Sequence, residues 1–280
     1  MSVRIIVDST ADLNVAVKDK VTVVPLTIHF GEEEYVDGVT ISYEEFYDKL
    51  VNSDVLPTTS QATPAAFMSV FEEVVKNGDT AVVLTVASKL SGTYQSAMIA
   101  VQDYADHIRV VDTESVAIGA GILAEYALQL VELGKSAEEI AQILTVEREN
   151  INVIALLDTL EYLKKGGRIS KTVAFAGGVL NIKPVACIKA GEILLLGKAR
   201  GAKQGNNLLV TEIQKVGGVD FDKPVLLGYT GNDISQLQNY VENSTALWEG
   251  MVESLSAAHI GSVVGTHAGP GAIAVAFFHK

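Results

Sequence analysis

The chain has 280 residues, of which 48% are hydrophobic and 20% charged, and its formal net charge is −13 at pH 7. This length and apolar content are sufficient for a large buried core and exclude an intrinsically disordered chain. The negative net charge argues against nucleic-acid binding and predicts at most transient contact with membranes, because phosphate backbones and anionic headgroups repel a negatively charged protein surface. The chain is unusually apolar for an acidic protein, so a core need not be the only place for its apolar side chains.

The first residues lack the long apolar run of a signal peptide. The least charged stretch, 261–278, is interrupted by His267 and Pro270, and it predicts two strands and a turn rather than a membrane span. The lone Cys187 lies in an apolar run, which indicates a buried and unreactive thiol. We therefore expect a cytoplasmic protein.

The first half of the chain alternates strand-like and helix-like segments. Capping boxes begin helices at Ser42 and Ser136, and Thr63 caps a helix whose first residue is Pro64. Short β-branched runs predict strands between the helices, at 4–7, 21–28, 81–86, 108–111 and 152–157. This alternation predicts a parallel sheet with crossover helices.

The second half has a different pattern. Two apolar runs, 184–189 and 193–197, are separated by a three-residue gap and predict an antiparallel hairpin. A strand at 224–230, helices at 203–216 and 235–255, and the closing strand pair complete this half. We predict an α/β chain of two closely packed domains. Residues 1–150 form an α/β domain with a parallel sheet, and residues 151–280 form an α+β domain with a mixed or antiparallel sheet.

Three motifs suggest ligand sites but have simpler explanations. The G-x-G-x-x-A pattern at 119–124 lies too far beyond the strand ending at Val111 for dinucleotide binding, so we place it in the first turns of a helix. The Gly134-Lys135-Ser136 sequence indicates a helix stop followed by an N-cap. The acidic segment 8–12 could hold a metal, but a strand-end turn with a capping acid is the commoner structure. We predict no metal site and no cofactor.

Two hydroxyl-rich segments stand at predicted helix starts and resemble anion receptors. Residues 58–61 precede the helix capped at Thr63, and residues 88–93 follow the strand at 81–86. Helix N-termini attract negative charge, and a glycine lets a ligand approach the backbone closely. Either segment alone could be an ordinary cap. Two of them at the carboxyl edge of one parallel sheet also fit a ligand site, whose candidate residues are Thr59, Ser60, Ser91, Gly92 and Thr93.

Two further segments carry candidate residues. Arg168 lies in a basic, glycine-containing loop that could equally be a helix C-terminus with its usual cations and glycine stop. His267 is predicted in a turn between two strands, where the surrounding glycines would leave its ring uncovered. A lone histidine is more often structural.

Taken together, these segments resemble the DegV family, the fatty-acid-binding subunits of bacterial fatty acid kinase. The resemblance runs in family order across essentially the whole chain, at 8–13, 59–61, 90–97, 112–113, 160–169 and 267–271. One position departs from the family pattern. In the family, proline commonly follows Ser-Gln directly, whereas in this chain Ala62 and Thr63 separate Gln61 from Pro64. This leaves the turn before that helix open.

The resemblance implies a long-chain fatty acid in a tunnel between the two domains, with Thr59 and Ser91 binding its carboxylate and with Arg168 and His267 at the mouth. A separate ATP-dependent kinase would convert the bound carboxylate to an acyl phosphate for phospholipid metabolism, and the carrier itself would perform no chemistry. We further hypothesise that Arg168 serves the acyl phosphate or the kinase contact more than binding of the fatty acid itself.

An alternative of another class is a serine hydrolase or acyltransferase with Ser91 as nucleophile and His267 as base. The chain lacks the nucleophile-elbow glycine pattern and an evident acid partner for the histidine. Dinucleotide binding is a third and weaker alternative.

Overall fold

The computed structural model of the protein describes residues 2–169, 181–248 and 250–280. Its strands are β1 (Val3–Asp8), β2 (Val21–Val24), β3 (Thr27–Phe30), β4 (Glu33–Val36), β5 (Thr58–Ser60), β6 (Thr80–Thr85), β7 (Ile108–Asp112), β8 (Ile151–Leu156), β9 (Ile182–Lys189), β10 (Glu192–Arg200), β11 (Leu226–Tyr229), β12 (Ser256–His259) and β13 (Ile273–Phe278). Its α-helices are α1 (Tyr43–Asn52), α2 (Pro64–Lys76), α3 (Thr93–Ala100), α4 (Ile118–Glu132), α5 (Ala137–Glu147), α6 (Glu161–Lys165), α7 (Gly201–Lys215), α8 (Ser235–Asn243) and α9 (Ser262–Ala268). None of the described helices combines the length and the apolar character that crossing a membrane requires.

The strands of the described residues form three sheets, which confirm the predicted α/β fold class. A parallel sheet has the order β2-β1-β6-β7, and a mixed sheet of six strands has the order β10-β9-β8-β13-β11-β12. A third, antiparallel sheet has the order β4-β3-β5. The predicted hairpin is confirmed, since β9 and β10 pair antiparallel. The parallel sheet comes from residues before 150 and the mixed sheet from residues after it, but the division into two domains stays a prediction.

The predicted helix starts are confirmed by their hydrogen bonds. Ser42 and Ser136 each accept from the backbone N–H three residues later, and the glutamates at those positions accept from the serine N–H in return. Thr63 accepts from the backbone of Ala66 and is followed by proline in the first turn of α2. These local bonds satisfy backbone donors that a helix leaves unpaired.

The single strand predicted at 21–28 is wrong, because Pro25 divides it. β2 ends at Val24 in the parallel sheet, and β3 begins at Thr27 in the small antiparallel sheet. Ser9 marks the crossing point, since its N–H donates to the Val24 carbonyl and its hydroxyl accepts from the Leu26 N–H. Proline has no N–H to continue a ladder, so the chain changes sheets at this residue.

Two predictions for the last third are also wrong. The stretch 261–278 contains helix α9 before β13, so His267 lies in the last turn of a helix and not between two strands. Strands β12 and β13 flank β11 and do not pair with each other. The helix predicted at 235–255 ends at Asn243, and short 3₁₀ turns follow at Thr245–Leu247 and Val252–Ser254.

Helix α4 packs between the parallel and the mixed sheets. The G-x-G-x-x-A glycines lie in its first turns, as predicted. A methyl group on Gly119 would overlap Ser115 and Val153, and one on Gly121 would overlap the Asp12 carbonyl. The glycines therefore permit close packing of the helix, and side chains of α4 join strands of both sheets in one hydrophobic core.

Candidate functional site

A cavity of about 380 Å³ lies between the parallel sheet and the mixed sheet. Most of its wall is apolar, and its hydrogen-bonding side chains include Thr59, Ser60, Ser91 and His267. We call the part of the cavity bounded by Thr59, Ser91, Arg168 and His267 the polar end. The volume falls in the range of small-molecule sites, and an apolar wall with few polar groups is their usual composition.

Small side chains form part of the cavity wall on the mixed sheet. Ala186 on β9, Ala155 on β8 and Ala274 on β13 stand opposite one another in register and all line the cavity. On the other face of the same strands, Ile154 and Val275 pack into a separate core. These strands therefore carry bulky side chains on one face and small side chains on the face toward the cavity. We call Ala155, Ala186 and Ala274 the alanine row.

The alanine row is closed on the side of β11. The next residue in register is Gly228, where an added Cβ would stand 3.0 Å from Ile260 Cδ1 and 3.1 Å from Ile118 Cγ2. Those two isoleucines cover the glycine. On the other side the row meets Leu195 of β10, which pairs with Ala186. The groove left by the alanines thus has bulky side chains at both ends.

Thr59 and His267 meet at the polar end. Thr59 is the central residue of β5, and its Oγ1 lies 3.2 Å from His267 Nε2. The ring is held from its other side, because a methyl group on Gly166 would overlap Nδ1. Within the described part of the chain, Nδ1 is buried and has no hydrogen-bond partner.

His267 is neutral at physiological pH. Burial, and secondarily the positive charge of Arg168, lower the pKa of His267 to about 4. A neutral imidazole carries one N–H. When that proton is on Nε2, the ring donates to Thr59, and the threonine O–H is then free to donate to a ligand.

Ser91 and Gly92 stand immediately before α3. The Ser91 hydroxyl accepts from the Thr93 N–H at 3.3 Å and lies 3.0 Å from the Thr93 hydroxyl. Ser91 and Gly92 line the cavity, whereas the Thr93 side chain is fully buried beneath Ser91. The segment follows β6 and begins a helix, as the sequence predicts.

Arg168 lies just after α6 and is tied to backbone carbonyls. Its Nε donates to the Leu90 carbonyl at 3.2 Å and its Nη1 to the Gly166 carbonyl at 2.7 Å. The bond to Leu90 joins this loop to the segment that carries Ser91. Ser60, the remaining candidate, borders the cavity but turns its hydroxyl to His29 Nε2 at 3.0 Å.

The acidic segment 8–12 is internal scaffolding. Asp8 accepts hydrogen bonds from the backbone and hydroxyl of Thr10 and from the Val86 N–H, so it fixes two loops that line the cavity. Asp12 accepts from the Gly261 N–H at 2.8 Å and thereby caps α9 from across the molecule. Burial raises the pKa of both carboxyl groups.

Comparison with known proteins identifies the family. A family model described as "Uncharacterised protein, DegV family" matches residues 2–280. The chain belongs to the DegV family. A DegV domain-containing protein of Caldanaerobacter subterraneus subsp. tengcongensis is 36% identical over 282 residues, covering 99% of each chain.

Solved structures of DegV proteins share the fold. A DegV family protein from Thermus thermophilus, described by its fatty acid binding, has a TM-score of 0.88 at 32% identity, covering 99% of this chain and 100% of its own. The Streptococcus pneumoniae fatty acid kinase B3 protein, loaded with linoleic acid, has a TM-score of 0.84 at 23% identity, covering 100% of both chains. At that identity the second comparison concerns the fold alone.

The structure thus brings the predicted residues of this DegV protein to one cavity, with Thr93 behind Ser91 instead of on the wall. The alanine row and Gln61, which also lines the cavity, are not among the residues that the sequence predicts for the site. The row has a visible signal at the start of β13, where alanine alternates with bulky residues from Ala272, just before the strand, to Ala276. Gln61 belongs to the family-like segment 59–61, but the sequence alone indicates no role for it.

Proposed function

We propose that this protein is a cytoplasmic carrier that holds a long-chain fatty acid between residues 1–150 and residues 151–280 and presents its carboxylate to a separate kinase. One observation carries the proposal, which is an apolar cavity with a shallow alanine-lined wall and clustered hydroxyl and imidazole groups at one end. The fatty acid binding of the related Thermus thermophilus protein supports it.

The acyl chain supplies most of the binding free energy in this proposal. Burying a chain of roughly sixteen carbons gives on the order of 10 kcal/mol before the costs of association, at about 0.8 kcal/mol per methylene. The polar groups then only need to orient the carboxylate. Thr59 and Ser91 are suited to this, because each hydroxyl borders the cavity and each is positioned by a neighbouring side chain.

The polar end suits a carboxylate that must later react. A phosphoryl transfer would form a bond from a carboxylate oxygen to the γ-phosphorus of ATP and release ADP. Hydroxyl donors hold that oxygen without neutralising it, whereas a bidentate arginine clamp would compete with the transfer. The guanidinium of Arg168 instead donates to two backbone carbonyls. In that position its positive charge still acts on the site, as the lowered pKa of His267 indicates, but it does not form a bidentate pair with the carboxylate.

Native mass spectrometry of freshly purified protein tests the binding role. We expect a bound fatty acid whose mass reports its chain length. After delipidation, added palmitic acid should restore one ligand per chain. With the partner kinase and ATP, the bound acid should gain the mass of one phosphoryl group. Delipidated protein that ignores added fatty acids would overturn the proposal.

The hydrolase alternative receives no support from the hydrogen bonds at the site. An activated serine needs its base within hydrogen-bond reach, but Ser91 bonds to Thr93 and His267 bonds to Thr59. Incubation with an activated acyl ester followed by intact mass separates the two functions. A carrier gives an unmodified mass, and a stable acyl adduct on Ser91 would overturn the carrier proposal.

A further inference from the structure

Gln61 connects the two segments that carry the candidate carboxylate-binding hydroxyls. Its Nε2 donates to Ser96 Oγ at 2.8 Å, and Ser96 is buried in the second turn of α3. The same amide lies directly on the backbone of Gly92, because a Cβ added to Gly92 would overlap Gln61 Oε1. Gln61 follows β5 immediately, so a residue at the end of that strand contacts both α3 and the residue before it.

This contact lies between Thr59 and Ser91. Thr59 is two residues before Gln61, and Ser91 is the residue before Gly92. Thr59 belongs to the small antiparallel sheet and Ser91 to the loop after the parallel sheet, so neither sheet's ladder sets the spacing of their hydroxyls. The side chain of Gln61 supplies a direct link across this gap.

We infer that Gln61 is a positioning residue that sets the spacing of the Thr59 and Ser91 hydroxyls and thereby selects a carboxylate head group. This inference rests on the proposed function. It also assigns a different reason for Gly92 than the sequence indicates. A side chain at this position would displace the Gln61 amide, so we assign the glycine to its contact with Gln61 and not to the approach of a ligand to the backbone.

The experiment compares two probes with the same tail, palmitic acid and 1-hexadecanol, on delipidated full-length protein. Losing one hydrogen bond to a neutral group predicts about a three- to tenfold weaker affinity of Gln61→Ala for palmitic acid. Its affinity for hexadecanol should stay within about twofold of the wild type, because the tail contacts are unchanged. Ser96→Ala removes the same bond from its other end and should give the same selective loss.

Gln95→Ala is the matched control, since it alters an exposed residue of the same helix. It should bind both probes like the wild type. A Gln61→Ala variant that weakens both probes equally, or neither, would overturn the positioning role. Wild-type protein that binds neither probe would instead overturn the proposed function, so the two failures are distinguishable.

A double-mutant cycle tests the reason for Gly92. Gly92→Ala should weaken palmitic acid binding in the wild type by displacing Gln61, but it should add little in the Gln61→Ala background, where the space is empty. An equal loss in both backgrounds would mean that the ligand needs the bare backbone, and would overturn our assignment. Thermal unfolding of each variant checks that the fold is intact.

Discussion

Replacing Ala155 by leucine tests the position of the acyl chain. Ala155 is the middle residue of the alanine row on a central strand of the mixed sheet, and its side chain is only half-buried because it faces the cavity. Leucine adds three carbon atoms at this point of the wall. If the acyl chain lies across the alanine row, the leucine side chain should displace a similar number of its methylene groups from the cavity.

The expected magnitude follows from that displacement. At about 0.8 kcal/mol per methylene, about three displaced methylenes cost about 2.4 kcal/mol, which is roughly a fiftyfold loss of affinity for palmitic acid. The lipid-free variant should melt at or above the temperature of the wild type, because the new side chain fills a cavity instead of overpacking a dense core. Binding and stability therefore move in opposite directions.

The assay is a chain-length series of saturated acids, measured by native mass spectrometry or titration calorimetry, with thermal unfolding of the lipid-free protein. The affinity of the variant should stop rising at a chain length about three carbons shorter than that of the wild type. Ala257→Leu, at an exposed alanine of β12, is the control and should leave the series unchanged. An unchanged series for Ala155→Leu, or a variant that melts well below the wild type, would refute the reasoning.

Three further predictions concern ionisable side chains, two of them at the polar end. The folded protein lowers the pKa of His267 to about 4 from its ordinary 6.5, so the stability of the wild type relative to His267→Gln should fall as pH falls from 6.5 to about 4. Urea unfolding of both proteins at several pH values measures this difference in stability. A difference that stays constant with pH would contradict the prediction. Asp37, a buried residue directly after β4, has the opposite sign, because burial raises its pKa from 3.8 to about 6. The wild type should therefore gain stability relative to Asp37→Asn as pH falls from about 6, and a loss of relative stability over that range would contradict this. Arg168→Ala should reduce kinase-dependent acyl phosphate formation more than palmitic acid binding, measured side by side, and the idea is wrong if binding collapses as fully as phosphorylation.

Features that depend on short-range chemistry could be predicted from the sequence. Capping boxes bond residues three apart, so Ser42 and Ser136 identify their helices without tertiary information. The distance of the α4 glycines from the preceding strand predicts a helix at this point instead of a nucleotide-binding turn. The family-like segments likewise named Thr59, Ser91, Arg168 and His267, which the structure brings to one cavity.

Features that depend on distant partners could not be predicted. The Gly261 N–H at the start of α9 bonds to Asp12, which is 249 residues away, and no local signal for this helix exists. The alanine row requires the register of three strands, which alternation within β13 alone does not give. Gln61 is a polar residue of the family-like segment 59–61, and only its contact with Ser96 and Gly92 shows what it holds.

Helix α9 connects the polar end of the cavity to the elements packed around it. Its sequence lies between two strands of the mixed sheet, yet its N-terminus is capped by Asp12 after β1, and its last turn carries His267 to Thr59 on β5. Tyr47 of α1 adds a third tie by donating to the Ile260 carbonyl just before the helix. Moving α9 away from β5, α1 and the segment after β1 would break all three bonds, including the one that holds His267 against Thr59 at the polar end. Under the proposed function, we therefore expect the acyl chain to enter without separation of these elements and its carboxylate to stay at the polar end, beside His267 and Thr59.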